Sequence, residues 1–161
     1  MIKVKIVGAG GYGGVGITEL LLGHPEATIT TLVAATETGM KMSELYPHLD
    51  GFCDLPILKP DDPAAQEPAD VVFFSTPDGV GMVQARAELA KGAKVIDYSG
   101  DFRFASVEDY AEYARRIGKD PVHKAPDLLT QTVYGVPEIQ REKITRERRI
   151  VGNPGCFAVG V

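Results

Sequence analysis

The chain opens on an alternating stretch that turns continuously apolar, Lys3-Val4-Lys5-Ile6-Val7, as a strand does on entering a sheet. A glycine-rich segment, Gly8-Ala9-Gly10-Gly11-Tyr12-Gly13-Gly14, follows at once. Apolar residues then recur at helical spacing from Val15 to Leu22, and Gly23-His24-Pro25 supplies the stop. Thr28 to Ala34 is rich in β-branched residues and predicts the second strand. These pieces make a βαβ unit with a right-handed crossover. Thr36 to Leu58 is irregular, with a short helix predicted over Lys41 to Leu45 and a weak strand over Phe52 to Leu58. Lys59 to Pro68 is proline- and acid-rich and predicts a surface loop.

The clearest strand is Ala69 to Ser75, apolar on both faces as a central parallel strand is. Thr76-Pro77-Asp78 is expected to cap a helix that runs to Lys91 and ends at Gly92. Lys94 to Tyr98 is the next strand, and Ser106 is the expected N-cap of an amphipathic helix reaching Arg116. Gly118 to Gln131 predicts a loop, Val133-Tyr134 a short strand, Gln140 to Glu147 a charged surface helix, and Arg149 to Val151 a last strand. Strands alternating with helices imply an α/β protein with a Rossmann-like, doubly wound parallel sheet.

Composition narrows the function without identifying it. The 161 residues are 44% hydrophobic and 24% charged, ordinary values for a globular domain, and the net charge of −5 argues against a nucleic-acid footprint. No apolar run is long enough to cross a bilayer, and the start has no signal-peptide pattern. Cys53 and Cys156 lie far apart, outside any CxxC or His-bearing ligand spacing, so neither a disulfide framework nor a metal site is expected.

The glycine loop satisfies GxGxxG through Gly8, Gly10 and Gly13, and GxxGxxG through Gly8, Gly11 and Gly14. In either register one glycine permits the turn, one lets the backbone approach a pyrophosphate, and one lets helix and strand pack closely. The phosphate then rests on the N–H groups at the helix N-terminus. The strand before and the helix after are the context that such a motif needs. The carboxylate that binds a ribose 2′-hydroxyl in NAD enzymes is missing from the end of the second strand, Val33-Ala34-Ala35-Thr36, with Glu37 one step further on. That absence leans toward NADP, yet no Arg follows to hold a 2′-phosphate and only Lys41 is near. These residues leave NAD and NADP both open.

Asn153-Pro154-Gly155-Cys156-Phe157 sets a thiol on a Pro-Gly turn, with Phe157 to Val161 able to begin a helix. A thiol at a helix N-terminus faces the positive end of the dipole, which favours the thiolate, and the N–H groups there can hold an oxyanion. The alternative is a small inert cysteine. His24, His48 and His123 all sit in loops and read as solvated residues, so none is expected to serve Cys156 as a base.

Five segments together resemble N-acetyl-gamma-glutamyl-phosphate reductases. They are the glycine loop, Tyr46-Pro47-His48-Leu49, Val95-Ile96-Asp97-Tyr98-Ser99-Gly100-Asp101-Phe102-Arg103, Val133-Tyr134-Gly135-Val136-Pro137-Glu138, and Asn153-Pro154-Gly155-Cys156-Phe157. The resemblance covers nearly the whole chain, in the family's order. It implies a Cys156 nucleophile that attacks N-acetyl-L-glutamyl 5-phosphate, and NADPH as reductant, with NAD not excluded. It further implies a cytoplasmic step of arginine biosynthesis in a homo-oligomer. Cofactor contacts are expected at Gly8, Gly10, Gly11, Tyr12, Gly13, Gly14, Thr36, Thr38, Ser75, Pro77 and Ser99, and substrate contacts at Asp101, Arg103, Tyr134 and Asn153. Asp101 and Arg103 could instead form a structural ion pair.

The chain also departs from that family. Gly10 stands where Ser or Thr is usual and Gly13 where Thr is. The expected Arg near Ala35 is absent, leaving Thr36, Thr38 and Lys41 as substitutes, and Phe157-Ala158-Val159 replaces Tyr-Pro-Thr. Residues 1–155 are expected to form the dinucleotide-binding domain. Residues 156–161 would start a helix leading into a substrate domain, with its assisting His, outside this chain; the chain alone would then be inactive. Two other readings are a sister reductase for aminoadipyl or aspartyl phosphate and a non-catalytic nucleotide-binding module.

Overall fold

The computed structural model describes residues 1–160, which form two compact units. The first comprises Met1–Ser75 and Lys91–Ala93. Its four strands are all parallel: β1 (Ile2–Val7), β2 (Ala27–Val33), β3 (Ile57–Leu58) and β4 (Val71–Phe74). They lie in the order β3-β2-β1-β4. Helix α1 (Tyr12–Leu22) joins β1 to β2, and the short α2 (Met42–Leu45) precedes β3. Ile6, Leu32, Ile57, Val72 and Phe74 are fully enclosed, each side chain worth about 1.5–3 kcal/mol on removal from water. Strand order reverses beside β1, which pairs with β2 on one side and β4 on the other. Ligands of such sheets bind beyond the C-terminal strand ends at that point, here where Gly8 and Ser75 follow β1 and β4. The predicted strand over Phe52 to Leu58 shrinks to two residues.

The second unit comprises Thr76–Ala90 and Lys94–Val161. It holds β5 (Lys94–Asp97), β6 (Thr132–Tyr134) and β7 (Ile150–Gly152), parallel and in the order β5-β7-β6. Its longer helices are α3 (Val80–Ala90) and α4 (Val107–Arg116). Ser106 caps α4 as expected, its hydroxyl accepting from the Asp109 N–H at 3.1 Å. Glu108 and Asp109 in the first turn and Arg115 and Arg116 in the last complement the helix dipole. The charged helix expected at Gln140 to Glu147 instead starts earlier, as α5 (Pro137–Gln140) followed by a single 3₁₀ turn, Arg141–Lys143. Proline at the first position, with its φ already helical, sets that start. The last helix, α6 (Cys156–Val159), is one turn long; Val161, expected to continue it, lies outside the described residues.

Candidate functional site

In the first unit the glycine loop adopts the register Gly8, Gly11, Gly14. Gly8 has φ +87°, the left-handed conformation that turns the chain out of β1. Gly11 is the N-cap of α1, with no side-chain cap on the helix. A Cβ at Gly14 would lie 2.4 Å from the Gly8 carbonyl oxygen and 2.5 Å from that of Ala9. Only glycine lets the first turn of α1 come this close to the loop. The initial N–H groups of α1, at Tyr12, Gly13 and Gly14, are donors that the helix itself cannot satisfy, and Tyr12 and Gly13 are exposed.

Glu37 lies beside this loop. It is the one non-glycine residue with a left-handed backbone, φ 55°, among those described. This turn brings its carboxylate back to Gly10, where an added Cβ would meet Oε2 at 2.9 Å. The Thr36 hydroxyl donates to the same oxygen. Tyr46 donates from its hydroxyl to the Gly10 carbonyl at 2.8 Å, and burial, then Tyr12 and Glu37, push its phenol pKa up. Thr38 is half-buried and Lys41 exposed, with the Lys41 N–H donating to Glu44. Ser75, half-buried after β4, donates its N–H to the Val7 carbonyl at 2.8 Å. His24 and His48 are exposed, as expected, and His48 contacts Glu19 at 2.6 Å.

In the second unit Arg103, Tyr134, Asn153 and Cys156 line one cleft of about 650 Å³, together with Tyr98 and Tyr113. Arg103 organises it. Its Nε donates to the Asn153 carbonyl at 2.8 Å, and its Nη2 to the Tyr98 carbonyl at 2.5 Å. Its Nη1 faces Gly155, where a Cβ would come within 3.2 Å. The guanidinium thus ties the strand-end segment after β5 to the turn that carries the thiol. Cys156 is exposed at the start of α6. With one cation, phenols and a thiol, the cleft suits a small anionic substrate with an electrophilic carbon.

Asp101 is not in this cleft. It is fully buried, and its carboxylate accepts from the Gly79 N–H at 2.8 Å and the Met82 N–H at 3.0 Å. Asp101 therefore caps α3, the role expected of Thr76-Pro77-Asp78. Asp78 instead accepts the Gly100 N–H at 2.7 Å and the Tyr113 hydroxyl at 3.1 Å. The proposed ion pair of Asp101 with Arg103 gives way to these separate commitments. Burial raises the Asp101 carboxyl pKa, against the lowering effect of the Met82 and Gly79 N–H bonds.

His123 is buried as well. Far from being solvated, it is 5% exposed. Its Nε2 meets the Asp101 carbonyl at 2.9 Å, and its Nδ1 accepts the Ala125 N–H at 3.0 Å, which assigns the neutral ring with the proton on Nε2. The ring packs edge-on against Tyr110 and Phe102, centroids 4.7 and 5.6 Å away. Asp97, also fully buried, accepts the Ser99 hydroxyl at 2.6 Å. Burial, with a further push from Asp101, raises its pKa to about 7 against the opposing Ser99 hydrogen bonds and Arg103. Ser99 also accepts the Asp101 N–H, so its hydroxyl serves the carboxylate cluster. Pro77 is exposed, while the neighbouring Thr76 hydroxyl is buried without a hydrogen-bond partner among the described residues. No group of three or more His, Cys, Asp or Glu among the described residues could hold a metal.

Residues 3–147 match the family described as semialdehyde dehydrogenase, NAD binding domain. The chain is 44% identical to an N-acetyl-gamma-glutamyl-phosphate reductase of Polynucleobacter asymbioticus, over all of this chain and 44% of that protein. It is 45% identical to the same-named protein of Pseudomonas putida, over 98% of this chain and 44% of the relative. The chain thus spans less than half the length of these curated relatives. In fold it is similar to aspartate semialdehyde dehydrogenase II of Vibrio cholerae, with a TM-score of 0.68, 20% identity, and coverage of 99% of this chain and 43% of that one. The Francisella tularensis aspartate semialdehyde dehydrogenase gives a TM-score of 0.61 at 10% identity, over 98% and 37% of the two chains.

Proposed function

Because the chain belongs to the semialdehyde dehydrogenase NAD-binding domain family, we propose that it is the dinucleotide-binding and nucleophile-bearing part of an N-acetyl-gamma-glutamyl-phosphate reductase. The observation that carries this reading is the cleft in which Arg103, Tyr134, Asn153 and Cys156 meet. The glycine loop fits a dinucleotide: its close approach at Gly14 leaves room for no side chain, and the N–H groups beginning α1 suit a pyrophosphate.

In the proposed reaction the Cys156 thiolate attacks the acyl carbon of N-acetyl-L-glutamyl 5-phosphate. The C–S bond forms, the C–O bond to phosphorus breaks, and inorganic phosphate leaves with that electron pair. Arg103 holds the turn that presents the thiol, and its Nη1 supplies positive charge on the same side for the anionic substrate. A reduced nicotinamide dinucleotide held at Gly8, Gly11 and Gly14 would supply the hydride that takes the thioester to the semialdehyde and frees the Cys156 thiolate. The resemblance implies NADPH for that role, whereas the residues after β2 point the other way. The proposed setting is a cytoplasmic homo-oligomer in arginine biosynthesis, with an assisting His supplied from beyond these residues and the chain alone inactive.

The test is a steady-state assay of the complete enzyme bearing this chain with N-acetylglutamyl, aminoadipyl and aspartyl phosphates. Turnover of the first is expected, with a loss of at least about a thousandfold in Cys156→Ser. Preference for another acyl phosphate reassigns the substrate, and full activity in the serine variant removes Cys156 from the chemistry.

A further inference from the structure

We infer that Glu37 makes the adenosine-ribose end of the dinucleotide site selective for NAD(H) over NADP(H). The inference rests on the reading of the glycine loop as a dinucleotide cradle. In such sites the acidic residue that follows the second strand accepts a hydrogen bond from the ribose 2′-hydroxyl. By position in the chain Glu37 overshoots the end of β2, which closes at Val33. The left-handed backbone at Glu37 cancels the overshoot and returns the carboxylate to Gly10, the middle of the loop. That conformation is uncommon for a residue with a Cβ. It is held here by the Thr36 hydroxyl donating to the carboxylate.

The surrounding charge points the same way. The chain between β2 and α2 contains only one basic residue, Lys41, exposed. No ion pair to Glu37 is formed among the described residues. A 2′-phosphate carries nearly two negative charges and would be set beside an uncompensated carboxylate, with no guanidinium to hold it. A 2′-hydroxyl would instead donate to that carboxylate, a hydrogen bond to a charged group worth about tenfold to a hundredfold in affinity. No arginine stands between Val33 and Met42 to hold a 2′-phosphate.

The test is calorimetric titration of the purified chain with NADH and NADPH, which reads binding without requiring turnover. The wild-type chain is expected to bind NADH at least about tenfold more tightly. Glu37→Gln should bring the two affinities to within about threefold, chiefly by strengthening NADPH binding through relief of repulsion. Circular dichroism confirms that the exposed substitution leaves the fold intact. Tighter binding of NADPH by the wild type, or an unchanged ratio in Glu37→Gln, overturns the assignment of Glu37. Binding of neither dinucleotide overturns the cradle reading, and the assignment with it.

Discussion

The buried carboxyl of Asp97 makes stability depend on pH in a direction opposite to that of a salt-bridged aspartate. Its pKa stands at about 7 in the folded chain, against an ordinary 3.8, because burial penalises the charged form. Below pH 4 both folded and unfolded chains carry the neutral carboxyl and the full contribution is present. Between about 4 and about 7 the unfolded chain ionises first, so folding must take up a proton and stability falls as pH rises. Each pH unit of that window is worth about 1.4 kcal/mol, or roughly 4 kcal/mol across it. Above about 7 the loss is complete and the Asp97 contribution flattens. Asp97→Asn keeps an acceptor and a donor within reach of Ser99 but cannot ionise. Urea unfolding from pH 5 to pH 8.5 should show the wild-type midpoint falling up to about pH 7 and levelling off beyond it. The asparagine variant should follow a flatter line and be the more stable protein at pH 8. Residual slope in the variant belongs to Asp101, whose carboxyl burial also raises. Parallel pH profiles for the two proteins would show that Asp97 does not titrate between the folded and unfolded states in this range.

Three further substitutions probe the remaining architecture. Gly14→Ala forces a methyl group against the Gly8 and Ala9 carbonyls. It should cost about 1–3 kcal/mol, read as a melting-temperature drop of several degrees, and weaken dinucleotide binding in titration. Arg103→Lys keeps the charge but cannot span the Asn153 and Tyr98 carbonyls together. Cys156 acylation should slow by at least about tenfold, measured by quenched-flow mass spectrometry. His123→Ala strands the Ala125 N–H and the Asp101 carbonyl and removes two ring contacts. Denaturant unfolding should show a loss of about 2–4 kcal/mol, where a solvated histidine would show almost none.

What was legible in the sequence is what local chemistry determines. The glycine loop between a strand and a helix, the Ser106 cap and the Asn-Pro-Gly-Cys turn each depend on neighbours within a few residues, so their residue types announce them. Cys156 was marked by its own turn, whereas Arg103, Tyr134 and Asn153 came from family likeness; all four line one cleft. What escaped was non-local. Asp101 caps a helix whose first N–H groups lie about twenty residues upstream, and nothing in Thr76-Pro77-Asp78 signals that its own carboxylate is engaged at Gly100. His123 sits in a proline-bearing loop whose composition suggests solvent, yet the Phe102 and Tyr110 rings enclose it. The return of Glu37 to Gly10 depends on one left-handed residue, a conformation that a glutamate does not advertise.

The proposed chemistry turns on Cys156 taking an acyl group from an acyl phosphate. The most direct measurement is the intact mass of the complete enzyme, incubated with N-acetylglutamyl phosphate without reduced dinucleotide and quenched in acid, followed by peptide mapping. One N-acetylglutamyl group is expected on Cys156, cleaved by hydroxylamine as a thioester is, and absent from Cys156→Ser. An unmodified Cys156, or an adduct that persists in the serine variant, would contradict it.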